Sequence, residues 1–429
     1  MTGSHPPDRL VVETREIDPV GDLLAYTSPD APLAWLRRGN GIVGIGSLGG
    51  FEQGPDASSA VDAPSPAEAW RRMAADAEVD DPVGLPGTGL VSFGTLVFDE
   101  RSTATSRLVI PQAVVGRHHG RSWITRIRST GSDIVEPLID PIPYGPYWSA
   151  TLGPGALAPA GYQAAVRAAV DAILAGDLEK VVLARDLVGT IPAGADLRRL
   201  VRALAHDYPD TWTYAVDGLI GASPETLVTV SHGAVTARVL AGTIPRGTDA
   251  GDDAEASSSL AHSAKDMQEH RYAVQSVLDT LGPHVRGMRA DAEPFTLELP
   301  NLWHLATDVA GEIADHASSL DLVAALHPTA AVAGTPTDAA IELIRTLEPF
   351  DRGRYAGPVG WVDGDGDGEW AIALRCAQIG SGPVRGYASF SDTVPVVAHA
   401  GAGIVAASDP ETELLETRVK FRPIVDALA

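Results

Sequence analysis

Two acidic couples stand at the same spacing in this chain. Asp266 and Glu269 are three apart in SAKDMQEH, and Glu413 and Glu416 are three apart in SDPETELLETRVKF. On a helix, residues three apart share a face, so each couple would present two carboxylates side by side. Taken singly, each also reads as ordinary helix chemistry. Ser263 with Asp266 has the form of a capping box, and Ser408, Asp409 and Pro410 have the form of a helix start. If the couples face each other, four carboxylates without cysteine or a Glu-x-x-His partner make a hard-oxygen site. Mg²⁺ is its natural occupant, since zinc and di-iron centres call for histidines that these spacings do not supply.

Cations inside apolar sequence are the second signal. In DLEKVVLARDL, residues 177 to 187, a strand puts Lys180 on one face with Val182 and Ala184, while Val181 and Leu183 fill the other. Such a strand is covered on both sides, so the lysine must either snorkel outward or sit desolvated in a cleft. Arg375, read in a strand between Leu374 and Cys376, calls for an anionic partner in the same way. Lys420, four residues after Glu416, has the spacing of a helix ion pair. Glu225 in GASPETLV follows Ser223 and Pro224 and reads by itself as a turn acid; His304 in LWHLATDV reads as a satisfied core histidine. AGAGIVAAS, residues 400 to 408, lets backbone N–H groups approach an anion but lacks the ending of a phosphate loop.

VDGDGDGEWAIAL offers a rival, a calcium-binding module. Asp363, Asp365, Asp367 and Gly368 match the first half of an EF-hand loop, but Leu374 stands where the bidentate glutamate is required. The stretch is therefore read as a turn between two strands.

The bulk numbers narrow the function classes. A net charge of -24 over 429 residues excludes phosphate-backbone binding, so no nucleic-acid partner is expected, and it would repel an anionic substrate unless local cations or a metal held it. No apolar run is long enough for a bilayer, and the polar N-terminus lacks a signal-peptide core, which places the expected chain in the cytoplasm, off the membrane. The single Cys376 excludes an internal disulfide and a cysteine-rich zinc site.

Helices are expected near 65–77, 159–176, 195–207, 263–281, 318–326, 337–347 and 411–427. Strands are expected near 89–99, 107–127, 177–187, 212–240, 304–312, 358–379 and 384–400, in hairpin-like groups. The polar stretches 54–68 and 247–259 read as surface loops. Strands in groups with helices between them predict α+β with large antiparallel sheets and outer helices, and with no dividing linker one domain is expected over 1–429.

KVVLARD, GASPETL, LAGTIPRG, SAKDMQEH, LHPTAAVAG, YAGPVGW, GDGEWAIALR and AGAGIVAASDPETELLET, in this order across residues 155 to 428, resemble the chorismate-utilising enzymes. Residues 1 to about 150 match loosely and are expected to complete the sheets. The resemblance implies a monomeric, Mg²⁺-dependent enzyme whose partner is chorismate, a dicarboxylate, with no organic cofactor. Glu269 and Glu416 resemble direct magnesium ligands, with Asp266 and Glu413 acting through water. Arg375 and Tyr355 resemble the groups that bind the enolpyruvyl carboxylate, helped by backbone at Gly403, with Lys420 a further carboxylate contact. Gly242, Thr243 and His304 would line the ring pocket.

Within that family, a lysine at the place of Lys180 marks the branch that adds water, and Glu225 matches the acid that protonates the departing C4 hydroxyl. A lysine serves as base only if desolvation brings its pKa toward neutrality. Ala241, where aminodeoxychorismate synthases carry a nucleophilic lysine, turns the reading away from that branch. Asp266 and Ala331 resemble isochorismate synthases, whereas salicylate synthases, the runner-up, tend to have glutamate and threonine there. Ala330 departs from the proline of many relatives. The expectation is an isochorismate synthase, an isomerase; whether its product feeds menaquinone or siderophore assembly depends on neighbouring genes.

Overall fold

The apolar alternation along the chain resolves into two large sheets. The computed structural model describes residues 9–55, 64–130, 137–247, 249–298, 302–380, 385–386, 389–390 and 392–429. Among them, one sheet has 13 strands and the other 10. The first 150 residues are woven into both: Leu33–Arg37 pairs with Trp212–Val216 in the larger sheet, and Val91–Thr95 with Pro358–Asp363 in the smaller. No helix among the described residues is long and apolar enough to cross a membrane.

The strand expected at DLEKVVLARDL runs Lys180–Pro192 and pairs antiparallel with Thr393–Ile404, from Val181 opposite Ile404 to Pro192 opposite Thr393. Its residues Val181 to Asp186 are buried, as apolar side chains on both faces require. Helices Pro159–Ala175 and Thr337–Leu347 pack on it. The former starts with a proline in its first turn and ends at Gly176, whose φ of 89° suits a residue without Cβ.

The acid-bearing helices form as their caps foretell. Ser263 accepts from the Asp266 N–H at 3.3 Å to start Ala264–Leu281, which lies on strand Ala234–Pro245 of the smaller sheet. Asp409 accepts from the N–H groups of Glu411 and Thr412 to start Pro410–Leu428, which lies on Thr393–Ile404 of the larger sheet.

Three expectations need correction. Stretch 247–259 is not a loop: Ala250–His262 is a helix, capped by Asp249 with Asp252 and Asp253 in its first turn. Acids there suit the helix dipole, and the buried Leu260 anchors it; low hydrophobicity hid the periodicity. Of stretch 54–68, residues 56–63 lie outside the described residues, and Ser65 caps helix Pro66–Ala75. Arg375 is not within a strand. It sits between Gly368–Ile372 of the smaller sheet and Cys376–Ile379 of the larger, with φ 50°.

That break is one of two adjacent crossings. The chain also changes sheet between Leu219–Ser223 and Thr226–Ser231, at Pro224 and Glu225. Backbone bonds tie the crossings together, Ile372 N–H to Glu225 O at 3.1 Å and Ala222 N–H to Arg375 O at 3.2 Å. Corners where strands switch sheets bring side chains of both layers to one place.

Packing in the larger sheet is close enough to test. Gly116 lies opposite Trp123, and a Cβ on it would come within 2.2 Å of the fully buried indole. Gly116→Ala should lower unfolding free energy by about 1–3 kcal/mol through overpacking, measured by urea denaturation.

Candidate active site

Lys180 opens its strand beside the glycines of Thr393–Ile404. Val182 pairs with Gly403, and a Cβ at Gly403 would lie 3.0 Å from Lys180 Cε and 3.6 Å from its Nζ. The lysine thus lies over the glycine and lines a cleft of about 290 Å³, part-buried rather than extended into solvent. Glycines 401 and 403 belong to the strand itself, not to a loop; a Cβ at 403 would press on the end of the Lys180 side chain, and one at 401 would come within 2.8 Å of Leu183 O.

Glu225 and Arg375 enter the same cleft from the two crossings. Both are buried, at 9% and 8% exposure. Burial pushes the Glu225 carboxyl up to about 7, against the opposing pull of Lys180, Lys420 and Arg375. Arg375 Nη1 is buried without a hydrogen-bond partner, and desolvation works against its charge. A buried guanidinium N–H left unmade is costly, so this corner is built for an anion.

The smaller sheet contributes the facing wall. A register shift between Leu240 and Thr243 sets Gly242 at φ 84° and leaves Thr243 opposite His304. The Thr243 hydroxyl and His304 Nδ1 are 2.8 Å apart, and burial, then Arg375 and Lys420, push His304 down to about 3, so its imidazole is neutral. His270 fixes the bulge to the acidic helix, with Nδ1 3.1 Å from Ala241 O and Nε2 2.8 Å from the Thr307 hydroxyl. Asp266, one turn earlier, then reaches the cleft beside Gly242.

Tyr355 and Ala331 also line the cleft, as do Lys420, Glu413 and Glu416 from the terminal helix. Lys420 Nζ lies 2.6 Å from Glu416 Oε1 and donates to Gly401 O at 2.9 Å. Every expected site residue except Glu269 is therefore brought to one cavity. Glu269 follows Asp266 by one helical turn, and its side chain lies outside the described residues. Among the described residues, no three acids converge into a ready-made metal cluster. The donor set still fits a hard cation: Asp266, Glu413 and Glu416 offer only carboxylate oxygens, from helices on different sheets.

Sequence reading missed Arg352 and His399, which line the cleft as well. His399 stacks on Tyr355 at 5.1 Å and is pushed down to about 4 by burial. Its signal was present, since it shares a strand face with Gly401 and Gly403. Arg352 follows Glu348 by four residues, a spacing that reads as a surface pair. The EF-hand-like run is a hairpin turn in which Asp363 Oδ1 accepts from the N–H groups of Asp365 and Asp367.

The family model for chorismate binding enzymes matches residues 149–429. The chain belongs to the chorismate binding enzymes. It is 37% identical over 356 residues to a putative isochorismate synthase MenF of Mycobacterium tuberculosis, covering 80% of this chain and 87% of that relative. Isochorismate synthase DhbC of Bacillus subtilis is 39% identical over 282 residues, 63% of this chain and 68% of that one. Among solved structures, a putative 2,3-dihydroxybenzoate-specific isochorismate synthase of Bacillus anthracis superposes with a TM-score of 0.73 at 29% identity, covering 95% of this chain and 98% of that one. The match to that structure extends the likeness over the N-terminal strands that the family model leaves out.

The raised Glu225 pKa links stability to pH. Its folded value, about 7, exceeds the ordinary 4.5, so its contribution is full below about 4.5 and is lost as pH rises through about 7. Glu225→Gln should change stability little near pH 5 and raise it on the order of 3 kcal/mol near pH 8, read from paired urea denaturations.

Proposed function

We propose that this chorismate binding enzyme is an isochorismate synthase that requires Mg²⁺. The observation that carries the reading is a lysine and a protonatable carboxyl, Lys180 and Glu225, lining one cleft with an unsatisfied buried arginine. In this reading Lys180 takes a proton from water as its oxygen bonds to C2 of the ring. The double bonds shift, and the C4–O bond breaks as Glu225 gives its proton to the departing hydroxyl, which leaves as water. One water enters and one departs, so the change is an isomerisation. Base and acid are held in unlike environments, as paired acid–base chemistry demands.

Arg375 and Tyr355 hold the enolpyruvyl carboxylate, with backbone at Gly403 beside them and Lys420 as a further carboxylate contact. Gly242, Thr243 and His304 bound the ring; a neutral His304 leaves the cations to the substrate carboxylates. Asp266, Glu413 and Glu416, with Glu269, would hold Mg²⁺. When bound, the ion neutralises the carboxylate cage and anchors the ring carboxylate. Ala331, at the cleft wall, accompanies the reading of isochorismate as final product.

Two experiments decide this. Chorismate incubated with protein and Mg²⁺ should give isochorismate by chromatography, and a chelator should stop turnover until Mg²⁺ is restored. Salicylate and pyruvate at neutral pH would overturn the assignment in favour of a salicylate synthase. Since an acid must be protonated to act, kcat/KM should fall as pH rises through about 7, the free-enzyme value. Lys180→Ala and Glu225→Gln should each lower kcat by about 10³-fold or more with the fold intact; retention of most activity by either removes that residue's role.

A further inference from the structure

The strand that carries Lys180 has an interrupted edge. On the side away from Thr393–Ile404, Lys180 and Val181 pair with Thr335 and Gly334, and Val182 N–H donates to Ala333 O at 2.8 Å. Pairing on that side resumes at Asp186, whose carbonyl accepts from Gly155 N–H at 3.1 Å, and continues through Leu187 and Val188 opposite Pro154 and Gly153. Between these stretches, the Val182 carbonyl and the Ala184 N–H meet side chains instead of strand backbone. Arg352 Nη2 donates to Val182 O at 2.7 Å, and Glu348 Oε1 accepts from Ala184 N–H at 2.7 Å.

The two side chains also hold each other. Arg352 Nε donates to Glu348 Oε2 at 2.8 Å and Nη2 to Oε1 at 2.5 Å, with both side chains almost wholly buried, at 3% and 1% exposure. Arg352 Nη1 donates to Val332 O at 3.1 Å, and its guanidinium lies 4.5 Å over the Phe98 ring. Tyr355 N–H closes a turn onto Arg352 O at 3.0 Å. One ion pair therefore touches the strand of Lys180, the loop of Ala331 and the turn of Tyr355, and Arg352 borders the cleft itself.

We infer that Glu348 and Arg352 are a positioning pair for the proposed reaction: they stand in for the missing strand and fix where Lys180 enters the cleft relative to Ala331 and Tyr355. An apolar pair could fill the same volume, but it would leave a donor at Ala184 and an acceptor at Val182 unmade in a buried place. The guanidinium makes four hydrogen bonds here, two to the carboxylate and one to each of two carbonyls, whereas an ammonium has only three donors and no planar fork. Lys180 lies two residues from Val182 on the same strand face, so a slip at Val182 is transmitted to its side chain. Small errors in the placement of a reacting group are costly to rate even when binding is kept. The inference rests on the functional reading given above, and the test separates the two.

Arg352→Lys and Arg352→Ala are compared with the wild-type full chain for kcat, KM for chorismate, thermal midpoint and amide hydrogen exchange. In Arg352→Lys we expect kcat to fall about tenfold or more while KM stays within about threefold, the signature of lost alignment rather than lost binding. In Arg352→Ala, added guanidinium chloride should recover part of kcat where an equal concentration of urea does not. Amides of residues 181–184 should exchange about tenfold faster in Arg352→Lys, while those of 188–192 are unchanged. A folded Arg352→Lys with kcat within about twofold of wild type, or with KM rising in step with the loss of kcat, overturns the role. Should Arg352→Ala fail to fold, Arg352→Lys decides alone. If the wild type makes no isochorismate, the functional reading falls, and exchange still judges the pair: unchanged exchange at 181–184 sinks it.

Discussion

A carboxyl buried at the seam between two sheets, with three cations around it, is the interaction on which the site depends. Glu225 is held out of water at the point where the chain passes from one sheet to the other. Burial raises its pKa, and Lys180, Lys420 and Arg375 pull the other way, leaving it at about 7. A group so balanced can release a proton near neutral pH and regain it. The same cations answer a problem posed by the whole chain, whose net charge of -24 repels anions. Beside the carboxylates of Asp266, Glu413 and Glu416 in the same cleft, they are the local positive charge that an anion could meet.

The seam explains why chemistry concentrates there. Two crossings run side by side, bonded through Glu225 and Arg375 backbone, so an acid and an arginine distant in sequence become neighbours. The bulge at residues 240 to 243 turns Gly242 and Thr243 toward His304, and a glycine at 403 leaves room for Lys180. The crossings and the bulge are local departures from regular strand, and they face the same cleft as Gly403. Departures of this kind mark where a fold gives up regularity for function. The acidic helices belong to different sheets, so their approach depends on how the sheets are joined.

Much of this was legible in residues alone. Alternation and caps gave the strand at Lys180 and both acidic helices nearly to their ends, because Ser263 and Asp409 are strong local signals. The order of motifs from 155 to 428 pointed to the family that residues 149–429 match. Helix Ala250–His262 escaped because its apolar face is a single buried leucine and its residues are small, acidic and polar. Arg375 looked like a strand residue because a positive φ in a non-glycine residue leaves no trace in composition. The Glu348–Arg352 pair escaped for a further reason: its spacing is that of a solvated pair, and only burial tells the two apart.

The sequence by itself determined which residues could do chemistry and on which elements they ride, since periodicity, capping and residue type are local properties. It also carried the family, through motifs whose order survives without any geometry. Only the tertiary structure decided that Asp266 and the Glu413–Glu416 couple approach one cleft, that Glu225 is buried in it rather than exposed in a turn, and that Lys180 lines it rather than snorkelling out. Those outcomes turn on burial and on distances between segments a hundred residues or more apart in sequence, which are fixed by how two sheets pack and cross.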